Sequence, residues 1–441
     1  MTITETGRLA LFPIGSYRDS NGHLVIGGCD SLDLARKYGT PLYVFDENTL
    51  RTRCREFKAA FTRRYPNTLV TYASKAFLNR AMAALVKDEG LGLDIVSGGE
   101  LSVALSVEFP PELIYFHGNN KTPEELTMAM RSGVGRIVMD NDFEIETANR
   151  IAGELGIKQN VLLRLNPGID PHTHKYTATS IPDNKFGFPI GSGQAHKAVA
   201  ATLAAPNLNL VGLDFHLGSP IPEVETYEIA IEIVMKFAAE MKKQHGFTMN
   251  EFAAGGGFAV PYTTQASVPS IADYAAGIGA KIIAATKTHG LPLPKLSIEP
   301  GRAIAGPSGV ALYKVGSIKD IPGIRKYICV DGGMADNIRT ALYDAQYEAV
   351  VANKLDQADT EKVTISGRFC ESGDLLVKDI MLPPVVSGDI IAIPVSGAYC
   401  IPMSSNYNMV PRPAIIMVNN GASRIIRTRE SYDDLMRLDN L

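Results

Sequence analysis

Apolar positions along this chain follow two different rhythms. From about residue 68 to residue 300 a short, β-branched apolar run is followed by a polar or glycine-containing turn, and then by a longer stretch with an apolar residue every third or fourth position. The runs are "TLVTYA" (68–73), "GLDIV" (92–96), "LIYF" (113–116), "RIVM" (136–139), "VLLRL" (161–165), "LVGLDF" (210–215), "FAA" (252–254) and "LSIE" (296–299). Between them, stretches such as "AMAALVKDEG" and "YEIAIEIVMKFAAEMKKQHG" carry helical periodicity and end on glycine. About eight βα units predict a closed (β/α)8 barrel. A doubly wound open sheet would place a glycine-rich dinucleotide loop after its first strand, whereas here Ser-Lys-Ala-Phe follows Ala73.

Beyond Arg302 the rhythm changes. "GVALYKVGSI", "KYICV", "KVTIS", "DIIAIPV", "AIIMV" and "SRIIRT" read as strands between Gly, Pro, Asp and Asn turns. The expected class is therefore α/β plus β: a TIM barrel with a C-terminal β-sandwich or β-barrel domain. "HLVIGG" and "PLYVF" near the start are expected to add N-terminal strands to that domain. The boundaries fall at 1–46 for the N-terminal segment, 47–308 for the barrel and 309–441 for the β domain. Residues 167–188 form one long irregular loop, and such loops in compact domains are often functional.

Composition narrows the function classes. A chain of 441 residues exceeds one ordinary core, which stops growing at about 250 to 300 residues, so two domains are expected. A net charge of −4 with no long basic block argues against nucleic acid. Cys29, Cys54, Cys329, Cys370 and Cys400 show neither CxxC nor zinc-like spacing, which points to a reducing compartment. No run approaches the roughly 18 apolar residues of a membrane span, and the expectation is a soluble cytoplasmic protein.

Barrel enzymes carry their chemistry on the loops after the strand C-termini. Those positions here hold Lys75; Asp94, Ser97 and Glu100; His117, Asn119 and Asn120; Asn166; His216 and Ser219; Gly255, Gly256 and Gly257; and Glu299 with Arg302. Any one of them alone reads as a solvated or locally satisfied residue, and the triple glycine reads equally as a tight turn. Their convergence on one rim is what points to a site. Bare backbone at 255–257 suits a phosphate, and a lysine across the rim suits the other end of an aromatic aldehyde as an imine. Pyridoxal 5′-phosphate meets both conditions. Glu299 against its pyridine nitrogen would favour the protonated, electron-withdrawing ring, although a salt bridge to Arg302 explains Glu299 equally well. His172 and His174 form H-x-H without a carboxylate or cysteine set to complete a site, so no metal is assigned.

The segments "YASKAF", "GLGLDIVSGGEL", "RLNPGIDPHTHKY", "KFGF", "HLGS", "GGGF", "EPGR", "DGGMADNIRTALYDA", "CESGD" and "GAY…SNYN…PRP" resemble, in order, the pyridoxal-phosphate-dependent diaminopimelate decarboxylases, of the alanine-racemase-like, fold-type III group. The likeness runs from about Gly22 to the chain end. It implies that Lys75 is the Schiff-base lysine, His216 stacks on the ring and Glu299 partners the ring nitrogen. Asp94 joins the cofactor-binding set; Gly255–Gly257, Ser219 and Gly301 match the phosphate seat, with Arg302 and Tyr399 close to the cofactor. Arg302, Arg339, Tyr343, Glu371 and Tyr399 match substrate-binding positions. Cys370 matches the proton donor. The family supplies Cys370 and Glu371 from a second subunit, which implies a homodimer.

The chain departs from the family pattern at Pro220, at Ala259 and at Val395-Ser396, all in loops near the expected cofactor. The implied reaction is decarboxylation of meso-2,6-diaminopimelate to L-lysine and CO2. A substrate with a distal carboxylate needs an anion clamp, which Arg302 and Arg339 can supply, and Glu371 can accept from the distal ammonium. The rival readings are a decarboxylase for another basic or unusual amino acid, a racemase of the same fold, and a non-catalytic cofactor-binding regulator.

Overall fold

The computed structural model describes residues 7–169 and 183–441. The chain divides into two compact units: Arg53–Ala259 with Val268–Gly301, and residues up to Thr52 with Val260–Ser267 and Arg302–Leu441.

The first unit is a closed parallel barrel of eight strands: β1 (Thr68–Ala73), β2 (Gly92–Ile95), β3 (Ile114–Phe116), β4 (Arg136–Met139), β5 (Gln159–Asn166), β6 (Leu208–Phe215), β7 (Glu251–Ala253) and β8 (Lys295–Ile298). Each strand pairs in parallel with the next, and β8 returns to β1 with Leu296 opposite Thr68. All eight runs read from the sequence became barrel strands. Their continuous apolar character has a physical cause: helices cover the outside and side chains fill the inside, so neither face meets water. Tyr115, Val138, Leu162 and Ala253 form part of the filled interior. At the strand N-termini Arg136 pairs with Glu251, which also accepts from Tyr115 Oη at 3.0 Å, so that end is closed by polar groups that satisfy one another.

The loops after the strands are short because polar residues cap the next helix at once. Asn79, Ser97, Thr122 and Asn141 each accept a backbone N–H of the helix they begin. Ser97 is therefore explained by capping Gly98–Leu105. From the irregular segment, Phe188–Pro189 adds two residues in parallel to β5. His172 and His174 lie outside the described residues.

The second unit is built on a nine-stranded sheet. The "PLYVF" strand, Leu42–Asp46, lies inside it, parallel to Ala414–Asn419 and antiparallel to Gly309–Ile321. "HLVIGG" behaves differently. Leu24–Ile26 pairs with Tyr17–Arg18 and Cys29–Asp30 in a separate three-stranded sheet, while Leu24 and Ile26 share a core with Val310 and Ile416. Leu375–Leu382 is a strand not singled out by the sequence pattern. Its register shifts between Val363 and Ile365 of its partner, opposite Ile380 and Val377, and Asp379 has φ +54°, so Lys378 and Asp379 interrupt the alternation that would announce it. Among the described residues no helix is long and apolar enough to cross a membrane, and all five cysteines are free thiols.

Candidate active site

A cavity of about 380 Å³ opens at the C-terminal ends of the barrel strands, lined by Lys75, Val96, His117, Asn119, Asn120, Arg164, Phe186, His216 and Glu299 among others. Lys75 stands in the single 3-10 turn, Ser74–Ala76, that follows β1. That turn is packed tightly: a Cβ at Gly301 would come within 2.9 Å of Ala73 O and 3.0 Å of the Ala76 side chain. Three residues read from the sequence as the chemical centre, Lys75, His216 and Glu299, thus share one cavity.

Glu299 is buried, and its Oε1 makes no hydrogen bond. His117 Nε2 lies 3.2 Å from that oxygen and 3.9 Å from Asp94 Oδ1. Burial pushes the Glu299 carboxyl up to about 7 against the opposing pull of Lys75 and Arg164. Burial likewise raises Asp94 and lowers His117. The contact is then better described as a neutral imidazole beside a carboxyl shifted toward its protonated form than as a full ion pair. Donor atoms of Asp94, His117 and Glu299 all lie within 4.8 Å of one another, a spacing that would suit a cation. A protonated ring nitrogen is such a cation, and it would give the orphaned Oε1 the donor it lacks.

His216 is held by a specific bond. The Gly256 N–H donates to its Nδ1 at 3.2 Å, which leaves the ring hydrogen on Nε2. Burial, reinforced by the Lys75 and Arg164 charges, holds the imidazole well below its ordinary value, so it is neutral. A flat neutral ring with a fixed tautomer can stack against a cofactor ring.

The glycine turn carries a double explanation. Gly255 and Gly257 have φ +65° and +103°, and a Cβ at Gly256 would approach Glu299 O to 2.2 Å. Close packing of three strand ends demands glycine here whether or not a phosphate binds. Of its N–H groups, that of Gly256 is committed to His216. Ile221 N donates to Gly257 O at 2.7 Å, which ties the loop containing Ser219 and Pro220 to this turn. Ser396 Oγ donates to Ile393 O at 3.0 Å, so that departure from the family pattern serves a local turn, whereas the bond from Ala259 N–H to Tyr274 Oη at 3.3 Å does not depend on its side chain.

Arg164 and Asp214 were not singled out in the sequence. Arg164 has its guanidinium 4.6 Å from the Phe186 ring, and its Nη1 is 4.0 Å from Asp140. Asp214 is fully buried with no hydrogen bond to either carboxylate oxygen, and burial with the nearby Glu299 charge pushes it up to about 7. The available signal was a charged residue inside each apolar run, "VLLRL" and "LVGLDF".

The remaining candidates belong to the β unit. Arg302 Nη1 donates to Tyr262 Oη at 2.8 Å, with its guanidinium 4.7 Å from the Tyr399 ring. Arg339, only 5% exposed, lies 4.6 Å from the Tyr262 ring, donates from Nη1 to Tyr347 Oη, and leaves Nε without a partner. Tyr262 stands between the two guanidiniums, and nothing in the apolar pattern announced it. Tyr399 adopts φ +61°, an uncommon conformation for a bulky residue. Tyr343 ends the helix Arg339–Tyr343, its hydroxyl 4.0 Å from Met403 Sδ. Cys370 and Glu371 lie on an exposed loop, where Cys370 N–H donates to Asn408 Oδ1 at 3.1 Å and Tyr407 Oη donates to Cys370 O at 3.3 Å.

Residues 47–306 match the family described as pyridoxal-dependent decarboxylase, pyridoxal binding domain. The chain is 44% identical to the diaminopimelate decarboxylase of Bacillus subtilis over 424 residues, covering 96% of this chain and 97% of the relative. It is 44% identical to that of Mycobacterium tuberculosis over 438 residues, covering 97% of each. Among solved structures, the diaminopimelate decarboxylase of M. jannaschii in complex with L-lysine superimposes with a TM-score of 0.90 at 34% identity, covering 97% of this chain and 98% of the other.

Proposed function

This chain belongs to the pyridoxal-dependent decarboxylases, in the diaminopimelate decarboxylase family, and we infer from that membership that it converts meso-2,6-diaminopimelate to L-lysine and CO2. The observation that carries the reading is the single cavity shared by Lys75, His216 and Glu299. When bound, pyridoxal 5′-phosphate supplies an aldehyde for an amino group and a ring that accepts the electron pair left by departing CO2.

The chain's own residues supply the rest. Lys75 Nζ is the amine that would hold the aldehyde end. Glu299 would accept the ring N–H and favour the protonated nitrogen, with His117 and Asp94 beside it. His216 would offer its neutral face to the ring. Gly255, Gly257, Ser219 and Gly301 would seat the phosphate, while the Gly256 N–H orients His216.

Arg302 and Arg339 hold substrate carboxylates, with Tyr343 and Tyr399 beside them in the substrate-binding set. Among the described residues no carboxylate lies within salt-bridge distance of Arg339, and a buried guanidinium lacking a counter-charge is well suited to take one from a ligand. Glu371 accepts from the distal ammonium. Cys370 Sγ delivers the proton to the reacting carbon. Exposure of Cys370 and Glu371 leaves them free to serve a second copy of the chain, and we propose a homodimer. The five free thiols support a cytoplasmic setting.

The test is direct. Protein supplied with pyridoxal 5′-phosphate and meso-diaminopimelate is expected to release CO2 and L-lysine in equal amounts. Epimerised diaminopimelate without CO2, or faster release of CO2 from ornithine, overturns the reading.

Arg339→Lys is expected to raise KM for diaminopimelate roughly 10- to 100-fold, the equivalent of one charge-assisted bond at a buried forked site. Cadaverine, which has both amines of diaminopimelate and neither carboxylate, is expected to bind as an inhibitor whose Ki changes far less. Equal effects on the two compounds would remove Arg339 from the distal clamp.

A further inference from the structure

Behind the cavity lies an ion pair with no place in the roles assigned so far. Lys121 and Glu144 are 1% and 0% exposed, with Nζ 2.8 Å from Oε2. A buried ion pair is weak evidence of a stabilising role, because apolar residues of similar volume often serve as well. What calls for explanation is the set of groups that this pair joins.

The Lys121 ammonium spends its three donors on Gly118 O at 2.6 Å, Val138 O at 2.7 Å and Glu144 Oε2. Glu144 accepts from Lys121 N–H at Oε1 and from Asp140 N–H at Oε2, both at 2.9 Å. Two strand-end loops are thereby stitched together: the loop after β3, which starts at His117, and the end of β4, which leads to Asp140. Asn141 adds a neutral tie between the same segments. Its Oδ1 caps Glu144 N–H at 3.1 Å, and its Nδ2 donates to Asn119 O at 2.9 Å.

One loop carries a neighbour of Glu299, and the other carries a residue that faces a second neighbour, Arg164 on β5. His117, joined directly to Gly118, brings its Nε2 to 3.2 Å from Glu299 Oε1. Asp140 accepts the Gly187 N–H and stands 4.0 Å from Arg164, whose positive charge acts on Glu299. The pair is therefore one residue removed from both.

We propose that Lys121 and Glu144 act as a positioning pair that fixes His117 and Arg164 against Glu299. The proposal rests on the reading that Glu299 receives the ring nitrogen of the cofactor. Neither residue touches the reacting atoms; their effect passes through the two loops.

The double variant Lys121→Met/Glu144→Leu removes both charges together and leaves neither alone in the interior. If the pair positions the site, the variant melts near the wild-type temperature, while apoprotein affinity for pyridoxal 5′-phosphate and kcat each fall about 10- to 100-fold, the scale of a small misplacement of reacting groups, with KM little changed. Wild-type affinity and kcat in the folded double variant would overturn the proposal. Should the double variant fail to fold, Lys121→Gln/Glu144→Gln decides. Two amides keep the interior polar but cannot reproduce the three donors of the ammonium and the two acceptors of the carboxylate, so cofactor affinity and kcat are expected to fall, and unchanged values overturn the proposal. Wild-type protein that never forms a borohydride-fixable link between Lys75 and the cofactor overturns the cofactor reading itself, whatever the variants do.

Discussion

Lys75→Ala is expected to lower decarboxylation of diaminopimelate by about 10³-fold or more, because it removes both the covalent anchor and a proton carrier from the cavity. The structure makes the loss specific. Among the described residues lining that cavity, Lys75 is the only lysine besides Lys121, and the three donors of Lys121 are already engaged. Borohydride treatment of wild-type protein loaded with pyridoxal 5′-phosphate should fix the cofactor on the peptide that contains Lys75, and the same treatment of Lys75→Ala should fix none. The substitution should leave the melting temperature of the apoprotein close to wild type, since the side chain is only half-buried and lines the cavity. Fixation of cofactor on another lysine, with activity retained, would remove Lys75 from the mechanism.

Glu299→Gln is the second large effect. A carboxylate beside the ring nitrogen favours its protonated form, and an amide of nearly the same shape does not, so kcat is expected to fall about 10²-fold, comparable to deletion of one preorganised electrostatic contact. The substitution also has a signature without cofactor. Burial raises this carboxyl from 4.5 to about 7, so the folded apoprotein binds the proton more tightly than the unfolded chain does. The contribution of Glu299 to stability is thus complete below pH 4.5, declines as pH rises to about 7 and is level beyond it. In Glu299→Gln that part of the decline should vanish, and the part from Asp214 should shrink, since burial still raises that carboxyl but the Glu299 charge no longer does. Melting temperatures across this range measure it, and an unchanged slope with unchanged kcat would refute the role given to Glu299.

The pattern of apolar runs was enough to locate all eight barrel strands, and each began and ended within a few residues of where it was read. Strands buried on both faces announce themselves as uninterrupted runs. Leu375–Leu382 escaped because a bulge at Asp379 breaks its alternation. "HLVIGG" was recognised as a strand, but its partners were not, since pairing choices depend on chain turns that hydrophobicity does not record.

Chemistry followed the same division. Lys75, His216 and Glu299 were legible because each directly follows a strand, and in a parallel barrel all strand C-termini face one end. That topological rule turns a position in the chain into a position in space. His117 against Glu299, Arg164 against Asp140 and Tyr262 between two arginines were not legible, because no local period encodes contacts between distant segments. Sequence determined which residues stand at the rim; closure of β8 onto β1, and the packing it forces, decided which of them meet, which are stripped of water and therefore how each titrates. Burial is a property of the assembled surface, and it is burial that pushes Glu299 up, holds His216 neutral and strips water from the Arg339 guanidinium.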